Sequence, residues 1–423
     1  MKKYLIIGNS AAGVSAAIAI RANDKIGNIK IVSNERFNFY GKPLISYYLG
    51  GKISSDNIYY YDENFYKSKN IEIILNANVN KIDTTKNDVV INLDNRISYD
   101  KLLIATGSNP FIPQIKNLDI NKQENVFTFL TYSDSIKIKN KINKNSKIVV
   151  AGAGLIGLKA VEGLSDQVAS ITVIDFADRI MSSILGKQEA DIVQSHMEKK
   201  FIKFKLQTVI NEVRSKNDTV NSVVLSSGEV IDCDVLIIAV GVRPNIAIAK
   251  KANIKTLNGI VVNEYMQTSM ENIYAAGDCV EYSDFFSGEN KVFALWPNAS
   301  NQGEVAGINM SNNNTKSFGG VFSMNSISFF GLHLISAGII NDYKFNSSIF
   351  VNSARNRLRK LNIFNDNLIG FILINDDQRA GIYTSLINDK TKISTLAYDI
   401  TSNDIGFNVY SKSERISKMF NFE

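Results

Sequence analysis

The chain twice repeats one order of hydrophobic and polar positions: an apolar run, a turn that contains glycine, a helix-forming stretch and a second apolar run. In the first copy the apolar runs cover residues 3–7 and 29–32, and the turn covers residues 8–13. This order predicts a strand, a helix and a second strand, which together make a βαβ unit. In such a unit the tight turn lets backbone N–H groups and the helix N-terminus approach a pyrophosphate.

The second copy has the more complete glycine spacing. Its apolar runs cover residues 147–151 and 171–174, and its turn at 152–157 contains three glycines, whereas the first turn has Ser10 in the middle place. Two such turns indicate two dinucleotides, one fixed and one exchanged. A glycine turn in a domain without nucleotide is the alternative for either copy. The binding residues that the turns predict are Gly8, Ser10, Ala11, Ala12, Gly13, Gly152, Gly154, Leu155, Ile156 and Gly157.

An acidic residue follows the second strand of each unit. Asp175 stands 23 positions beyond Gly152, where a carboxylate binds the ribose 2′-hydroxyl of NADH and repels the 2′-phosphate of NADPH. We therefore expect NADH to be preferred, although Arg179 is also placed to bind a phosphate. Glu35, 27 positions after Gly8, is the predicted ribose acceptor of the first unit, at a longer interval than usual.

The composition indicates a soluble globular protein. A length of 423 residues predicts about two to four domains, and 45% hydrophobic with 21% charged residues is typical of folded proteins. The only two cysteines, Cys233 and Cys279, form neither a disulfide framework nor a metal-binding spacing. We therefore predict no metal site and a reducing, cytoplasmic location.

Charge and hydropathy argue against other classes of protein. The net charge of +6 is spread along the chain without alternating arginine and aromatic residues, so nucleic-acid binding is not expected. An uninterrupted apolar run of about 18 residues, which a membrane span needs, does not occur. The apolar N-terminal stretch superficially resembles a secretion signal, but Asn9, Ser10 and Ser15 interrupt it and the glycine turn explains it better.

Three further segments make the pattern specific to one family. Residues 99–108 form an apolar strand that ends in Ala105-Thr106-Gly107, residues 235–244 are its counterpart in the second unit, and residues 272–278 end in Gly277-Asp278. Together with the two turns, they resemble the FAD-dependent pyridine nucleotide-disulfide oxidoreductase superfamily over about residues 1–310. The resemblance implies FAD and NADH as cofactors. It implies FAD contacts for Ala105, Thr106, Gly107 and Asp278, and NADH contacts for Gly241 and Val242.

The resemblance also implies an α/β fold class and a domain organisation. We expect two Rossmann-like domains, an FAD-binding domain of residues 1–113 and 245–317 and an NADH-binding domain of residues 114–244 that is inserted into it. Residues 318–423 are the predicted C-terminal α+β domain, which serves as an interface or dimerisation domain. Within it, the pattern predicts a strand at 368–374 and a helix at 380–387.

Residues 39–48 narrow the branch of the family. Disulfide reductases of the family have a cysteine pair in this flavin-facing segment and NADH oxidases and peroxidases have one cysteine, whereas this chain has none. The segment is similar to that of rubredoxin reductases, ferredoxin reductases and the flavoprotein part of nitrite reductases, so we expect no thiol relay. FAD contacts are then implied for Lys42, Pro43, Val79 and Trp296; a solvated loop lysine and a core tryptophan are the alternatives for Lys42 and Trp296.

Two lysines are the predicted catalytic residues. Lys42 would place a positive charge near the FAD phosphates or the reduced flavin. Lys159 stands two positions after the last glycine of the second turn, where relatives often have a glutamate that pairs with a lysine, and Tyr47 takes the place of that lysine. Both members of the pair are changed, so hydride-transfer behaviour cannot be carried over from relatives. Lys159 either faces solvent or lies near the nicotinamide.

The expected activity is hydride transfer from NADH to FAD, followed by electron transfer to rubredoxin or another iron centre in a separate protein or domain. Three alternatives stay open: an NADH oxidase that makes peroxide, the NADH-oxidising subunit of a larger iron-sulfur complex, and a sensor that binds FAD and NADH with little turnover. A cluster needs about four ligands, so two cysteines cannot hold one.

The C-terminal region contains a group of aromatic and basic residues that we interpret as a docking or dimer surface, and a homodimer is among the expected states. Core aromatics beside a solvated basic strand are the alternative. The residues are Phe329, Phe330, Phe345, Phe350, Arg355, Arg357, Arg359 and Lys360.

Overall fold

Strands form where the sequence has its apolar runs. The structure is a computed structural model that describes residues 1–92, 94–341, 348–353, 357–396, 398–402 and 405–420, with the backbone alone for 348–353 and 418–420. Its strands are β1 Lys3–Ile7, β2 Asn28–Val32, β3 Ile71–Ile74, β4 Val79–Asp83, β5 Asp88–Ile91, β6 Asn95–Ser98, β7 Lys101–Ile104, β8 Ser108–Pro110, β9 Val126–Thr128, β10 Lys147–Ala151, β11 Ser170–Ile174, β12 Ile202–Lys205, β13 Ile210–Lys216, β14 Thr219–Leu225, β15 Val230–Asp232, β16 Val235–Ile238, β17 Val242–Pro244, β18 Ile260–Val261, β19 Ile273–Ala275, β20 Val280–Ser283, β21 Asn290–Val292, β22 Met324–Phe329, β23 Leu332–Gly338, β24 Ser348–Ser353, β25 Arg357–Phe364 and β26 Asn367–Ile374.

The helices lie between these strands and after the last of them. They are α1 Ala11–Asn23, α2 Ile45–Leu49, α3 Glu63–Ser68, α4 Tyr132–Lys141, α5 Leu155–Leu164, α6 Lys187–Glu198, α7 Ala247–Lys251, α8 Trp296–Asn312, α9 Ala380–Asn388 and α10 Lys412–Phe420. Short 3₁₀ turns lie at 42–44, 56–58, 377–379, 393–395 and 407–409. None of the helices in the described part of the chain combines the length and the apolar character that crossing a bilayer requires.

The first glycine turn follows β1, the central strand of a parallel sheet of five strands in the order β19-β7-β1-β2-β3. Four of the five residues of β1 are buried, as is typical of parallel strands covered on both faces. Helix α1 packs closely against α8. A Cβ on Gly303 would lie 2.1 Å from the Ala12 carbonyl oxygen, and one on Gly307 would lie 2.4 Å from that of Ala16. Only glycine permits this approach, which holds α1 in place beneath its turn.

The second glycine turn lies in a five-stranded sheet of the order β12-β11-β10-β16-β9, in which β10, β11 and β12 pair in parallel. Helix α5 follows β10 directly and precedes β11. The predicted βαβ order is therefore present in both copies. A three-stranded antiparallel sheet, β13-β14-β15, follows in the chain.

The C-terminal region forms an antiparallel sheet of the order β22-β23-β26-β25-β24, with α9 packed on β26. The predicted strand at 368–374 is β26, and the predicted helix at 380–387 is α9. The α/β fold class with two Rossmann-like sheets and a C-terminal domain is confirmed.

The chain forms two compact units. The first consists of Met1–Gln114, Phe127–Ile142 and Ile238–Val321, and the second of Ile115–Val126, Asn143–Ile237 and Phe322–Glu423. Each unit contains one of the two glycine turns. The functional boundaries of the FAD, NADH and C-terminal domains stay predictions.

The interpretation of the C-terminal aromatic and basic residues as one surface is wrong for three of them. Phe329 is 0% exposed and Arg359 is 1% exposed. The charge of Arg359 can be buried because it pairs with Asp376 inside the domain. Lys360 is largely buried and pairs with Glu189. Phe330 and Arg357 are partly exposed. Phe345 and Arg355 lie outside the described residues, as does the side chain of Phe350.

Candidate functional site

The first glycine turn has no room for side chains at its two end positions. Gly8 has φ of +120°, and a Cβ there would lie 2.1 Å from the carbonyl oxygen of Ala105; one on Gly13 would lie 1.9 Å from that of Gly8. Ser10 precedes α1, but its hydroxyl does not cap the helix. A closely packed backbone and an uncapped helix N-terminus fit the pyrophosphate of a dinucleotide.

Glu35 lies beyond β2 and is held by two neighbours. The Tyr40 hydroxyl donates to Oε2 at 2.6 Å, and the Lys42 Nζ lies 4.0 Å from Oε1. Tyr40 in turn accepts from the backbone N–H of Tyr132 at 3.1 Å. Burial, together with the negative charge of Glu35, raises the pKa of Tyr40, so its hydroxyl remains a donor. No pattern in the sequence indicates this role for Tyr40, and the ribose contact of Glu35 stays a prediction.

The two other turns of this unit bring Thr106, Ser108 and Asp278 together. The Ser108 hydroxyl donates to Asp278 Oδ2 at 3.4 Å, and Thr106 Oγ1 donates to the carbonyl oxygen of Asn245 at 2.7 Å. Gly277 has φ of +87° and donates its N–H to Gln302 at 2.8 Å. These contacts fix the backbone that presents the Asp278 carboxylate.

Asp278 has an unusual electrostatic environment. Burial raises the pKa of its carboxyl, and the positive charge of Lys42 and the hydrogen bond from Ser108 act in the opposite direction. A carboxylate in such surroundings gains from hydroxyl donors, which the ribityl chain and the ribose of FAD provide. The residues therefore fit the FAD that the resemblance implies, while the individual contacts stay predictions.

The remaining residues predicted for this unit lie at several places in it. Trp296 stacks on Phe39 with 5.5 Å between ring centroids and a 12° angle between the rings. Pro43 is exposed, and Val79 is the half-buried first residue of β4. Gly241 has φ of +119°, and Val242 begins β17, which pairs with β8. Their cofactor contacts stay predictions.

The second glycine turn combines one crowded glycine with one open glycine. A Cβ on Gly157 would lie 2.1 Å from the carbonyl oxygen of Gly152, whereas one on Gly154 meets nothing within 4 Å. The Gly152 N–H donates to Ile174 at 2.8 Å, which ties the turn to β11. Gly154 is the residue before α5, and Leu155 and Ile156 in the first turn of the helix are half-buried. The open face at Gly154 fits the approach of a dinucleotide.

Asp175 lies beside this turn. Its Oδ1 accepts from the Ala177 N–H at 2.8 Å, which holds the loop after β11. Arg179, the alternative phosphate ligand, donates Nε to the Leu185 carbonyl oxygen at 2.9 Å and pairs with Asp178 at 2.7 Å. The arrangement therefore presents a carboxylate, with the arginine bound to neighbouring groups.

Lys159 is in a largely buried ion pair. Its Nζ pairs with Glu162, lies 3.3 Å from the carbonyl oxygen of Ser328 and is 5.8 Å from the Phe329 ring centroid. Glu162 also accepts from the Phe330 N–H at 3.0 Å. These contacts join α5 to the hairpin of β22 and β23 within the second unit. A catalytic role for Lys159 stays a prediction, as does that of Lys42.

Neither cysteine is placed for thiol chemistry. Cys233 and Cys279 are buried and free. Burial raises the pKa of Cys233 to about 12 and that of Cys279 to about 11, so both remain thiols at neutral pH. Among the described residues, no group of three or more His, Cys, Asp and Glu side chains is arranged to hold a metal ion.

Two family profiles match the chain. The profile described as pyridine nucleotide-disulphide oxidoreductase matches residues 2–303. The profile described as the C-terminal domain of rubredoxin NAD+ reductase matches residues 324–391. The first covers well over half of the chain.

The relatives and solved structures that resemble the chain are named for different activities. An NADH oxidase of Methanocaldococcus jannaschii is 36% identical over 73% of this chain and 70% of its own length. Subunit epsilon of the NADH-dependent phenylglyoxylate dehydrogenase of Aromatoleum evansii is 27% identical over 95% of each chain. Among solved structures, an NAD-dependent persulfide reductase from A. fulgidus is similar with a TM-score of 0.85 and 28% identity, over 94% of this chain and 79% of that one. All three names include NAD or NADH.

Proposed function

Because the chain belongs to the pyridine nucleotide-disulphide oxidoreductase family, we propose that it oxidises NADH and passes the electrons to a separate iron-containing protein. Membership makes it an FAD-dependent NAD(P)H oxidoreductase, so the predicted enzyme class is confirmed, as are FAD and a nicotinamide dinucleotide as its cofactors. The choice of NADH and of the acceptor belongs to the proposal.

The profile match over residues 324–391 is the observation that favours an iron-containing acceptor. The matching profile describes the C-terminal domain of enzymes that are named as rubredoxin reductases. The cysteines agree with this choice, since residues 39–48 contain none and both cysteines of the chain are buried. Acceptors that need a thiol on the enzyme are therefore not favoured.

When bound, FAD supplies the redox chemistry, since it accepts a hydride from a nicotinamide and can return the two electrons one at a time to an iron centre. The residues of the chain bind the cofactors and orient them. The packed backbone of the first turn would meet the pyrophosphate. The carboxylates of Glu35 and Asp278, which accept from Tyr40 and Ser108, would also accept hydrogen bonds from sugar hydroxyls. Such positioning lowers the barrier without a side chain that reacts.

The preference for NADH is supported by Asp175. Its carboxylate would accept from the 2′-hydroxyl of NADH and repel a 2′-phosphate. Arg179 is the nearby cation that would reverse this preference, but it is already bonded to Leu185 and Asp178. The full-length likeness to a dehydrogenase subunit favours a second candidate, in which the chain is the NADH-oxidising subunit of a larger iron-sulfur complex.

The test compares acceptors under one set of conditions. The purified protein should be yellow, NADH should bleach its flavin absorption rapidly without oxygen, and rubredoxin or a ferredoxin should be reduced much faster than dissolved oxygen. A dominant rate with oxygen would favour the oxidase that one relative is named for. A slow, stable charge-transfer band would instead favour a sensor. Co-purification of an iron-sulfur protein would favour the second candidate.

A further inference from the structure

The first glycine turn contains a polar side chain at a position for which the glycine pattern specifies no residue. Asn9 follows Gly8, and its Nδ2 is a buried amide nitrogen without a hydrogen-bond partner among the described residues. Buried polar atoms in native proteins nearly always have a partner, so an unpaired donor in a ligand-binding turn indicates a ligand atom.

The orientation of the Asn9 amide follows from its neighbours. The backbone N–H of Phe39 donates to the Tyr66 hydroxyl oxygen at 3.3 Å, and that hydroxyl lies 2.9 Å from Asn9 Oδ1. Because the oxygen of Tyr66 accepts from Phe39, its own hydrogen is available to Asn9. Tyr66 is 1% exposed, and burial raises its pKa, so the hydroxyl stays protonated. Oδ1 of Asn9 is therefore the acceptor, and Nδ2 is the free donor.

We propose that Asn9 is an FAD-binding residue whose Nδ2 donates to an anionic oxygen of the FAD pyrophosphate, and that Tyr66 is the residue that positions it. The turn excludes side chains at Gly8 and Gly13, so its backbone can meet the pyrophosphate closely, and Asn9 is the long polar side chain within it. A neutral amide adds a donor without the desolvation cost of a buried cation. This role is independent of which protein accepts the electrons.

A purely structural role makes the opposite prediction for one substitution. Asn9→Asp keeps an oxygen to accept from Tyr66 but replaces the free donor with a negative charge, whereas Asn9→Ala removes both groups. If Asn9 only anchors the turn, Asn9→Asp should be the milder change. If it donates to a pyrophosphate, Asn9→Asp should be the more severe change, because like charges then face each other.

The experiment measures release of FAD from the purified holoprotein on dilution, followed by flavin fluorescence, together with the FAD-to-protein ratio. Asn9→Ala should speed release about 10- to 100-fold, as for loss of a hydrogen bond to a charged group. Asn9→Asp should release FAD faster than Asn9→Ala does. High salt should slow the release from Asn9→Asp, because it screens the repulsion between the carboxylate and the pyrophosphate. Release from Asn9→Asp as slow as from the wild type, or slower than from Asn9→Ala, would overturn the proposal.

Tyr66→Phe provides the second measurement if Asn9→Asp does not fold. It leaves the turn itself unchanged and removes only the hydroxyl that orients the amide. FAD release should then be faster by several-fold, with the thermal midpoint reported beside it. Tyr61→Phe, in the same segment, is the matched control and should release FAD at the wild-type rate. Equal rates for Tyr66→Phe and Tyr61→Phe would contradict the positioning role.

Discussion

Asp175 contacts the second glycine turn directly, since its Oδ2 accepts a hydrogen bond from the backbone N–H of Ala153 at 2.6 Å. The same carboxylate is the proposed partner of the NADH ribose. One side chain would therefore set both the shape of the turn and the choice of nicotinamide.

Asp175→Asn should weaken the preference for NADH. The amide keeps the size of the side chain and one acceptor oxygen but loses the charge that repels a 2′-phosphate. We expect the ratio of kcat/KM for NADPH to that for NADH to rise about tenfold, and further in Asp175→Arg, with ferricyanide as acceptor. Asp191→Asn, at an exposed position of α6 where the carboxylate pairs with Lys187, is the control and should leave the ratio unchanged. An unchanged ratio in Asp175→Asn would place nicotinamide selection elsewhere.

Two glycines of one turn should respond differently to alanine. Gly157→Ala places a Cβ 2.1 Å from a backbone oxygen, whereas Gly154→Ala places one in open space. We expect Gly157→Ala to lower the free energy of unfolding by about 1–3 kcal/mol. Gly154→Ala should fold normally but raise the KM for NADH about tenfold, because its methyl occupies the face that a dinucleotide approaches. Thermal unfolding and steady-state kinetics separate the two effects. A normal KM in Gly154→Ala would contradict the assignment of this turn.

The sequence predicted those features that depend on local pattern. The strand, glycine turn and helix at residues 3–23 follow from apolar runs and from two glycines that no other residue can replace. It did not predict the contact between Tyr40 and Glu35, or the burial of Arg359. Arg359 meets Asp376 only after β25 and β26 pair. The sequence alone does not show which distant residue will neutralise a charge, so a charged residue that becomes buried in an ion pair is predicted to lie on the surface.

Asp278→Asn should reduce FAD binding and should also remove the free-energy cost of burying a charged carboxylate. Because burial raises the pKa of Asp278, the flavin-free protein should lose stability as the pH rises from the ordinary aspartate range, near 3.9, through that raised value. The variant mimics the protonated carboxyl, so this loss should be absent from it. FAD release should be about 10- to 100-fold faster. Urea unfolding of flavin-free protein at acidic and neutral pH, with FAD release, tests both statements. Full FAD retention in Asp278→Ala would show that the cofactor site is misplaced.

Removal of both thiols should leave electron transfer intact. Cys233→Ala with Cys279→Ala deletes every sulfhydryl of the chain. We expect kcat with NADH and an iron-containing acceptor to remain within about twofold, because both thiols are buried and protonated. Iodoacetamide should likewise fail to inactivate the wild type. Stability should be measured as well, since cavities replace two buried sulfur atoms. A loss of kcat by a factor of 100 in a folded double variant would restore a thiol step.

Arg359→Met should be among the most destabilising substitutions in the second unit. It would leave the Asp376 carboxylate, which Arg359 meets at 2.6 Å, with less compensation inside the C-terminal domain. Breaking a buried pair of this kind costs about 3–5 kcal/mol. Arg357→Met, at the partly exposed partner of the same carboxylate, should cost less. Urea unfolding of both variants measures the difference.

The pH dependence of that pair has a defined sign. Burial alone would raise the pKa of Asp376, but hydrogen bonds from Arg359 and Arg357 lower it below its ordinary value. Its contribution to stability is therefore present above the unfolded pKa of about 3.9 and is lost as the pH falls through the lower folded value. In Asp376→Asn this acid-dependent loss should disappear. If the variant shows the wild-type acid profile, carboxylates other than Asp376 control acid unfolding.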